Sequence, residues 1–181
     1  MSKIKENFLV IKKCRLCESK KLSPIVDFGS VPLGNNLQSK LEKSKKALRY
    51  PLKIMQCQIC NHFQLSISVS PKQLYATNYT YLSGIGNSFV RHLKTYTDWI
   101  IHKTNLNSNS FVVDVGSNDG TLLSIFKNKG FNVCGVDPAE KPSQIANKNG
   151  IPTYNDFFDK YVVNQIKSKF GKADLVTSQN V

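Results

Sequence analysis

Phe111, Val112 and Val113 run into Asp114, a Gly-x-x-x-Gly turn spans Gly116 to Gly120, and a second apolar stretch from Phe131 delivers Asp137. Three β-formers, a tight turn and the apolar-periodic run Leu122 to Lys129, closed by Gly130, predict a strand, a turn and a helix. An acidic residue about one βαβ unit after such a turn is positioned to grip a ribose diol lying over it. The layout suits an adenosyl cofactor. A dinucleotide site would need Gly-x-Gly-x-x-Gly so that the backbone touches a pyrophosphate. Here Asn118 holds the middle position and the third glycine falls at the wrong spacing, which disfavours a nicotinamide cofactor. The blandest reading is a helix-entry turn with no ligand.

Four of the five cysteines form two Cys-x-x-Cys pairs, Cys14 with Cys17 and Cys57 with Cys60. Each pair presents two thiolates on a tight turn, and two such knuckles complete a tetrahedral zinc site. With all four ligands from sulfur there is no open position for water, so the expected Zn2+ is structural rather than catalytic. Residues 18–56 then form an inserted subdomain. The entropy of closing that loop grows only slowly with length, and structural zinc contributes on the order of 10 kcal/mol. His62 is a possible competing ligand, disulfides suit a secreted chain that nothing here suggests, and Cys134 reads as a small core residue.

The elements that must carry these groups follow from pattern. Residues 8–70 read as a zinc-binding domain of short strands, Phe8 to Lys12, Ile25 to Phe28 ahead of Gly29, and Leu52 to Met55, broken by the turn Val31 to Asn36. Residues 71–109 form a connecting helical region in which Phe89, Leu93, Tyr96 and Ile100 recur at helical spacing. Residues 110–181 alternate strand and helix. A helix at Pro142 to Lys148 precedes a strand at Ile151 to Tyr154, Asp159 caps a helix bearing Val162, Val163 and Ile166, and Ala173 to Val181 forms a fourth strand. The fold class is α/β, a Rossmann-like sheet of about four parallel strands behind a small β-rich zinc domain. A doubly wound sheet needs further strands, so the fourth is expected to be an exposed apolar edge and the chain the amino-terminal piece of a longer enzyme or a truncated reading frame.

At 181 residues with 40% hydrophobic content the chain can build a real core. No stretch has the length of a signal-peptide core or membrane span, so a cytoplasmic location and no membrane partner are expected. The net charge of +13 invites a nucleic-acid reading. The local cluster of Lys40, Lys43, Lys45, Lys46 and Arg49 lacks interleaved aromatics for base stacking, however. A solvated face or attraction of a small diphosphate fits better, and a zinc-containing nucleic-acid methyltransferase or RNA-binding module stands as the alternative function.

Asp114 ending the first strand, the glycine turn and Asp137 closing the second resemble class I S-adenosylmethionine methyltransferases. Taken with the cysteine knuckles, the Gly29 to Leu37 turn and the segment Tyr79, Thr80, Tyr81, Leu82, Ser83, the chain resembles the sugar C-methyltransferases from about Cys14 to Val181. The resemblance implies S-adenosylmethionine and structural zinc as cofactors and a nucleotide-activated 4-keto deoxysugar, often dTDP-linked, as substrate. It implies that Asp114, Gly116, Ser117, Asn118 and Gly120 form the cofactor loop, with Asp114 near the methionine ammonium and Asp137 accepting from the ribose hydroxyls. By the same likeness Asn180 approaches the cofactor, Asp119 orients the loop or the cofactor amine, and Tyr79, Tyr81 and Ser83 line the sugar-nucleotide site. Aromatic packing is the plain alternative for those tyrosines. The histidine base of that family is implied to lie past the fourth strand, with His62, His92 and His102 poor substitutes, so this chain alone is expected not to turn over.

Overall fold

Short antiparallel strands surround the cysteines, as their β-branched and turn-rich sequence dictates. In the computed structural model, which describes residues 8–76 and 79–181, β1 (Phe8–Val10) and β5 (Ile67–Val69) pair antiparallel, while β2 (Leu22–Pro32), β3 (Arg49–Cys57) and β4 (Phe63–Leu65) form a second antiparallel sheet in the order β2-β3-β4. A short helix, α1 (Leu41–Lys45), bridges β2 and β3.

The strand expected to stop at Phe28 runs on to Pro32. Gly29 does not end it but sits in a register shift between Asp27 and Ser30, with φ of 73°. A left-handed glycine lets the strand bulge and continue. The turn expected from Val31 therefore begins only at Leu33, whose carbonyl accepts from the Asn36 amide. Likewise β3 outgrows its expected span at both ends, since its long pairing with β2 carries the polar flanks along.

The chain divides into two compact units after Leu74. In the second, a π-helical turn (Lys72–Ala76) crosses the division and a 3-10 turn (Ser83–Ile85) precedes α2 (Asn87–Lys103). There follow β6 (Phe111–Val115), α3 (Thr121–Asn128), β7 (Asn132–Val136), α4 (Glu140–Lys148), β8 (Thr153–Tyr154), α5 (Lys160–Phe170) and β9 (Leu175–Ser178). The four strands are parallel in the order β8-β7-β6-β9.

Two apolar layers cover this sheet. Leu93 and Ile100 of α2 pack with Val112, Leu123, Phe126, Ala146 and Ile151, and Phe89 and Tyr96 lean on the same cluster. The helix read as a connector thus belongs to the core of this unit. Phe111, Val113, Cys134 and Val136 form the other layer with Val162 and Ile166 of α5. Cys134 is fully buried there, and burial pushes its thiol up to about 11. Asp159 caps α5 by accepting from the Val162 amide at 2.9 Å.

The fourth strand is shorter than the apolar run suggests. Pairing of β9 with β6 ends at Ser178 opposite Val115, and Asn180 turns left-handed with φ of 58°, which a strand excludes. Sequence neighbours β7 and β8 lie on one side of β6 and β9 on the other. The strand order therefore reverses at β6, and the carboxyl ends of β6 and β9 open the crevice where such sheets hold ligands.

Candidate cofactor site and zinc centre

The turn after β6 is built by backbone bonds. Gly116 and Ser117 amides donate to the Val136 carbonyl at 2.8 and 3.2 Å, and the Gly120 amide donates to the Ser117 carbonyl at 3.0 Å. Gly116 has φ of 71°, and a Cβ there would lie 2.3 Å from Val181 Cγ2, so only glycine lets the segments after β6 and β9 approach. The Asn118 amide donates to Asp137 Oδ2 at 2.8 Å, and the Thr121 amide to Asp119 Oδ1 at 3.2 Å. These five donors are spent inside the turn. No nest of free N–H groups faces the crevice from them, which is what a pyrophosphate would require.

Charge at the turn is one-sided. Asp114 is 4% exposed and accepts from Thr177 Oγ1 at 2.7 Å. Burial, opposed by that bond and reinforced by the charge of Asp137, pushes its carboxyl up to about 7. Asp137 accepts from the Ala139 amide at 2.8 Å besides that of Asn118, and burial, together with the charge of Asp119, raises it as well. Among the described residues the ion pairs are Lys53 with Asp27 and Lys129 with Asp98, so none of the three turn carboxylates has a cationic partner. Ser117 Oγ is buried and unpartnered among the described residues. Buried carboxylates without a countercharge favour a cationic ligand, and an orphan hydroxyl favours one with polar edges.

The segment before α2 closes on this turn. Asn118 Oδ1 accepts from the Ser83 amide at 2.9 Å and its Nδ2 donates to the Tyr81 carbonyl at 3.0 Å. Asp119 Oδ2 accepts from the Gly84 amide at 2.9 Å, while its Oδ1 also accepts from Thr121 Oγ1 at 2.6 Å. Burial, then the negative charge of Asp137, pushes the Tyr79 phenol up. Tyr79 is half-buried, while Tyr81 is exposed and held by its backbone rather than its ring. The structure therefore gathers Tyr79, Tyr81, Ser83, Asp114, Gly116 to Gly120 and Asp137 around one turn. Asn180 is exposed beyond β9. Thr177 and Gly84 escaped the sequence reading. The β6–β9 register that puts Thr177 opposite Asp114 leaves no local signal, nor does Gly84, whose amide donates to Asp119 and whose missing Cβ would lie 2.9 Å from Thr121 Oγ1.

In the other unit, the sulfurs of Cys14, Cys17, Cys57 and Cys60 lie within 4.8 Å of one another. Cys14 to Cys60 and Cys17 to Cys57 each measure 3.6 Å. A tetrahedron with Zn–S bonds of ~2.3 Å has edges of about 3.8 Å, so the donor set fits zinc. The two knuckles repeat one geometry. Glu18 and Asn61, each just after the second cysteine, both have φ of 59° and donate to the carbonyls of Cys14 and Cys57 at 2.9 Å. The Cys14 and Cys57 amides donate to the Ser19 and His62 carbonyls. The Leu16 and Ile59 amides reach the first sulfur of each pair. Amide donation from Cys60 and Ile59, against burial, lowers the Cys57 thiol to about 6. Although the His62 amide favours the Cys60 thiolate, burial and the neighbouring thiols push that thiol up to about 12. Metal charge is what lets all four ionise together. His62 is outside the cluster, and Gln64, which sequence reading passed over, braces it by accepting from the Arg15 amide and donating to the Lys13 carbonyl.

Comparison with known proteins finds a domain of known kind over each part of the chain. A family model described as a zinc binding domain matches residues 14–75, and one described as a methyltransferase domain matches residues 89–181. The C-methyltransferase NovU of Streptomyces niveus is 31% identical over 166 residues, which span 92% of this chain and 39% of that relative. Two structures of the plantazolicin methyltransferase BpumL, one in complex with SAH and one with a monoazolic desmethylPZN analog and SAH, align at 17% identity and a TM-score of 0.35. They cover 48% and 49% of this chain and 33% of theirs, a likeness too slight to bear on function. The cofactor of the second unit is S-adenosylmethionine and the metal of the first is zinc. With its methyltransferase domain spanning more than half of the sequence behind a zinc-binding domain, the chain belongs to the methyltransferase-domain family.

Proposed function

We propose that this chain is the zinc-bearing, cofactor-binding portion of an S-adenosylmethionine-dependent C-methyltransferase acting on a nucleotide-activated 4-keto deoxysugar. The observation that carries the cofactor half is the set of three turn carboxylates without a cation, beside a loop five of whose amides are already spent. S-adenosylmethionine supplies an electrophilic sulfonium methyl and carries an ammonium group. Asp114 is the group to hold the ammonium, Asp137 to accept from the ribose hydroxyls, and Ser117 Oγ to meet a polar edge of the bound molecule. Asp114 does so only when ionised, so a cationic partner must draw its carboxyl down from about 7.

Support for transfer to carbon comes from the relative, a C-methyltransferase, and the sugar reading rests on the resemblance that includes the tyrosine segment beside the turn. Methylation next to a ketone needs a base for the acidic proton and alignment of the resulting carbanion with the methyl donor. Among the described residues of this unit His92 and His102 make no side-chain hydrogen bond to the turn, and His92 stacks on Phe89 of its own helix. The chain spans 39% of that relative's length, and we assign the base to the portion it does not match.

Isothermal titration of S-adenosylmethionine into zinc-loaded protein tests the cofactor half. Binding by the parent chain, lost in Asp137→Ala and weakened in Asp114→Asn with circular dichroism unchanged, is the expected result. A folded, zinc-loaded chain that takes up no cofactor would overturn it. For the substrate half, the full-length enzyme is expected to yield a C-methylated dTDP-sugar. Methyl transfer to RNA instead would sink the sugar reading.

A further inference from the structure

Asn118 is the junction of two sets of contacts. Its backbone amide binds the Asp137 carboxylate, its φ of 51° turns the side chain away from the strand, and that side chain makes a two-point bond to the peptide backbone of Tyr81 and Ser83. The side chain thus replaces a strand partner, with one acceptor and one donor set against a carbonyl and an amide. Asp119 adds a third tie at Gly84. The absent Cβ of Gly84 permits the approach, because an added carbon would stand 2.9 Å from Thr121 Oγ1 and 3.2 Å from Asp119 Oδ2. Asn118 is 7% exposed, so these bonds work in a desolvated setting. The path from the Asp137 carboxylate to the backbone of the tyrosine segment passes through one residue.

We infer that Asn118 is a positioning residue coupling the cofactor turn to the Tyr79 to Gly84 segment, so that cofactor on Asp137 tightens the segment that presents the two tyrosines. This rests on the cofactor reading above. All three ties reach the Asn118 side chain or that of its neighbour Asp119, so ordering the turn orders the segment, and the coupling is reciprocal. A sugar nucleotide engaging the tyrosines therefore binds better after the cofactor than before it.

Backbone hydrogen exchange reads the two donors directly, since the Ser83 and Gly84 amides are the bonded groups. The probe is S-adenosylhomocysteine, added to saturation to the zinc-loaded 181-residue protein. Exchange at Ser83 and Gly84 is expected to slow at least tenfold on ligand addition. In Asn118→Gly, which keeps the left-handed backbone and deletes the side chain, saturating ligand is expected to leave the Ser83 amide unslowed, while the Gly84 amide keeps its bond to Asp119. Asn118→Asp accepts the same backbone and keeps an oxygen for the Ser83 amide, and is expected to restore the slowing at Ser83. Gly84→Ala, which alters no residue of the turn, is expected to lose the slowing too. Saturated protein whose Ser83 and Gly84 amides do not respond, or whose Ser83 amide responds equally in Asn118→Gly, overturns the coupling while leaving the cofactor site intact. A titration showing no ligand uptake by the parent chain instead overturns the cofactor reading, and the coupling with it.

Discussion

Asp114 is a buried acid whose protonation state follows the solution. Its raised pKa means that the folded chain holds a proton there which the unfolded chain has released above about pH 4. Folding stability contributed by the neutral acid is fully present below the unfolded value and is lost as pH rises through about 7. The loss for the ligand-free chain is on the order of 4 kcal/mol at most, at about 1.4 kcal/mol per unit. Asp114→Asn is expected to flatten the urea midpoint between pH 5 and 8. On the proposed role of Asp114 as partner of the ammonium, cofactor affinity is expected to run the other way. S-adenosylmethionine is expected to bind about tenfold more tightly at pH 8 than at pH 6 in titration calorimetry, as the ionised fraction rises. Glu18 offers a second test at this scale. A glutamate with φ of 59° pays for a left-handed backbone that Asn61 adopts more readily at the matching place in the other knuckle. Glu18→Asn is expected to stabilise the zinc-loaded protein by about 0.5–1 kcal/mol, read as a higher midpoint in denaturant.

At the level of elements, the two knuckles hold β3 and the loop before β2 to one point. Chelating zinc leaves four clustered thiols among which only some can ionise, and short strands with exposed apolar residues such as Ile25 and Phe28. Adding a chelator is expected to abolish the β signal of the first unit by circular dichroism and release one zinc per chain. The turn after β6 is equally intolerant. Gly116→Ala sets a methyl 2.3 Å from the Val181 side chain at a positive φ, and is expected to lower stability by 1–2 kcal/mol or more and to remove cofactor binding. Much of this was legible in the sequence. The knuckle spacing, the glycines at 116 and 120, the apolar stripe of α2 and the Asp159 cap are local patterns, and local patterns read well. Elements missed their expected ends where pairing overrode pattern. Gly29 became a bulge because β3 offered a partner on both sides of it, and β9 stopped at Ser178 because β6 ends at Val115. Thr177 beside Asp114 and the ties from Asn118 to Tyr81 and Ser83 are meetings of residues far apart in the chain, which no spacing rule announces.

Across the whole molecule, charge is unevenly shared. Of the 25 lysines and arginines, 14 precede Tyr75 together with only four acidic residues, so +10 of the +13 belongs to the zinc unit before its thiolates ionise. Exposed charges are screened within about 10 Å at 0.1 M salt, whereas buried carboxylates are not. Binding of S-adenosylmethionine at the proposed carboxylate site is therefore expected to change by less than about twofold between roughly 50 and 300 mM salt. Parallel titrations at the two salt concentrations check this. None of the helices among the described residues is long and apolar enough to cross a membrane.

The register of β9 on β6 has a meaning in time as well as in space. β6, α3 and β7 are neighbours in the chain and can assemble as they are made, but Val113 must wait for Val176 and Asp114 for Thr177. Closing so long a loop is slow relative to local pairing. Until it closes, Asp114 lacks its Thr177 partner. The crevice is therefore expected to form late in folding, with the last strand rather than the glycine turn setting the moment at which the chain becomes able to hold its cofactor.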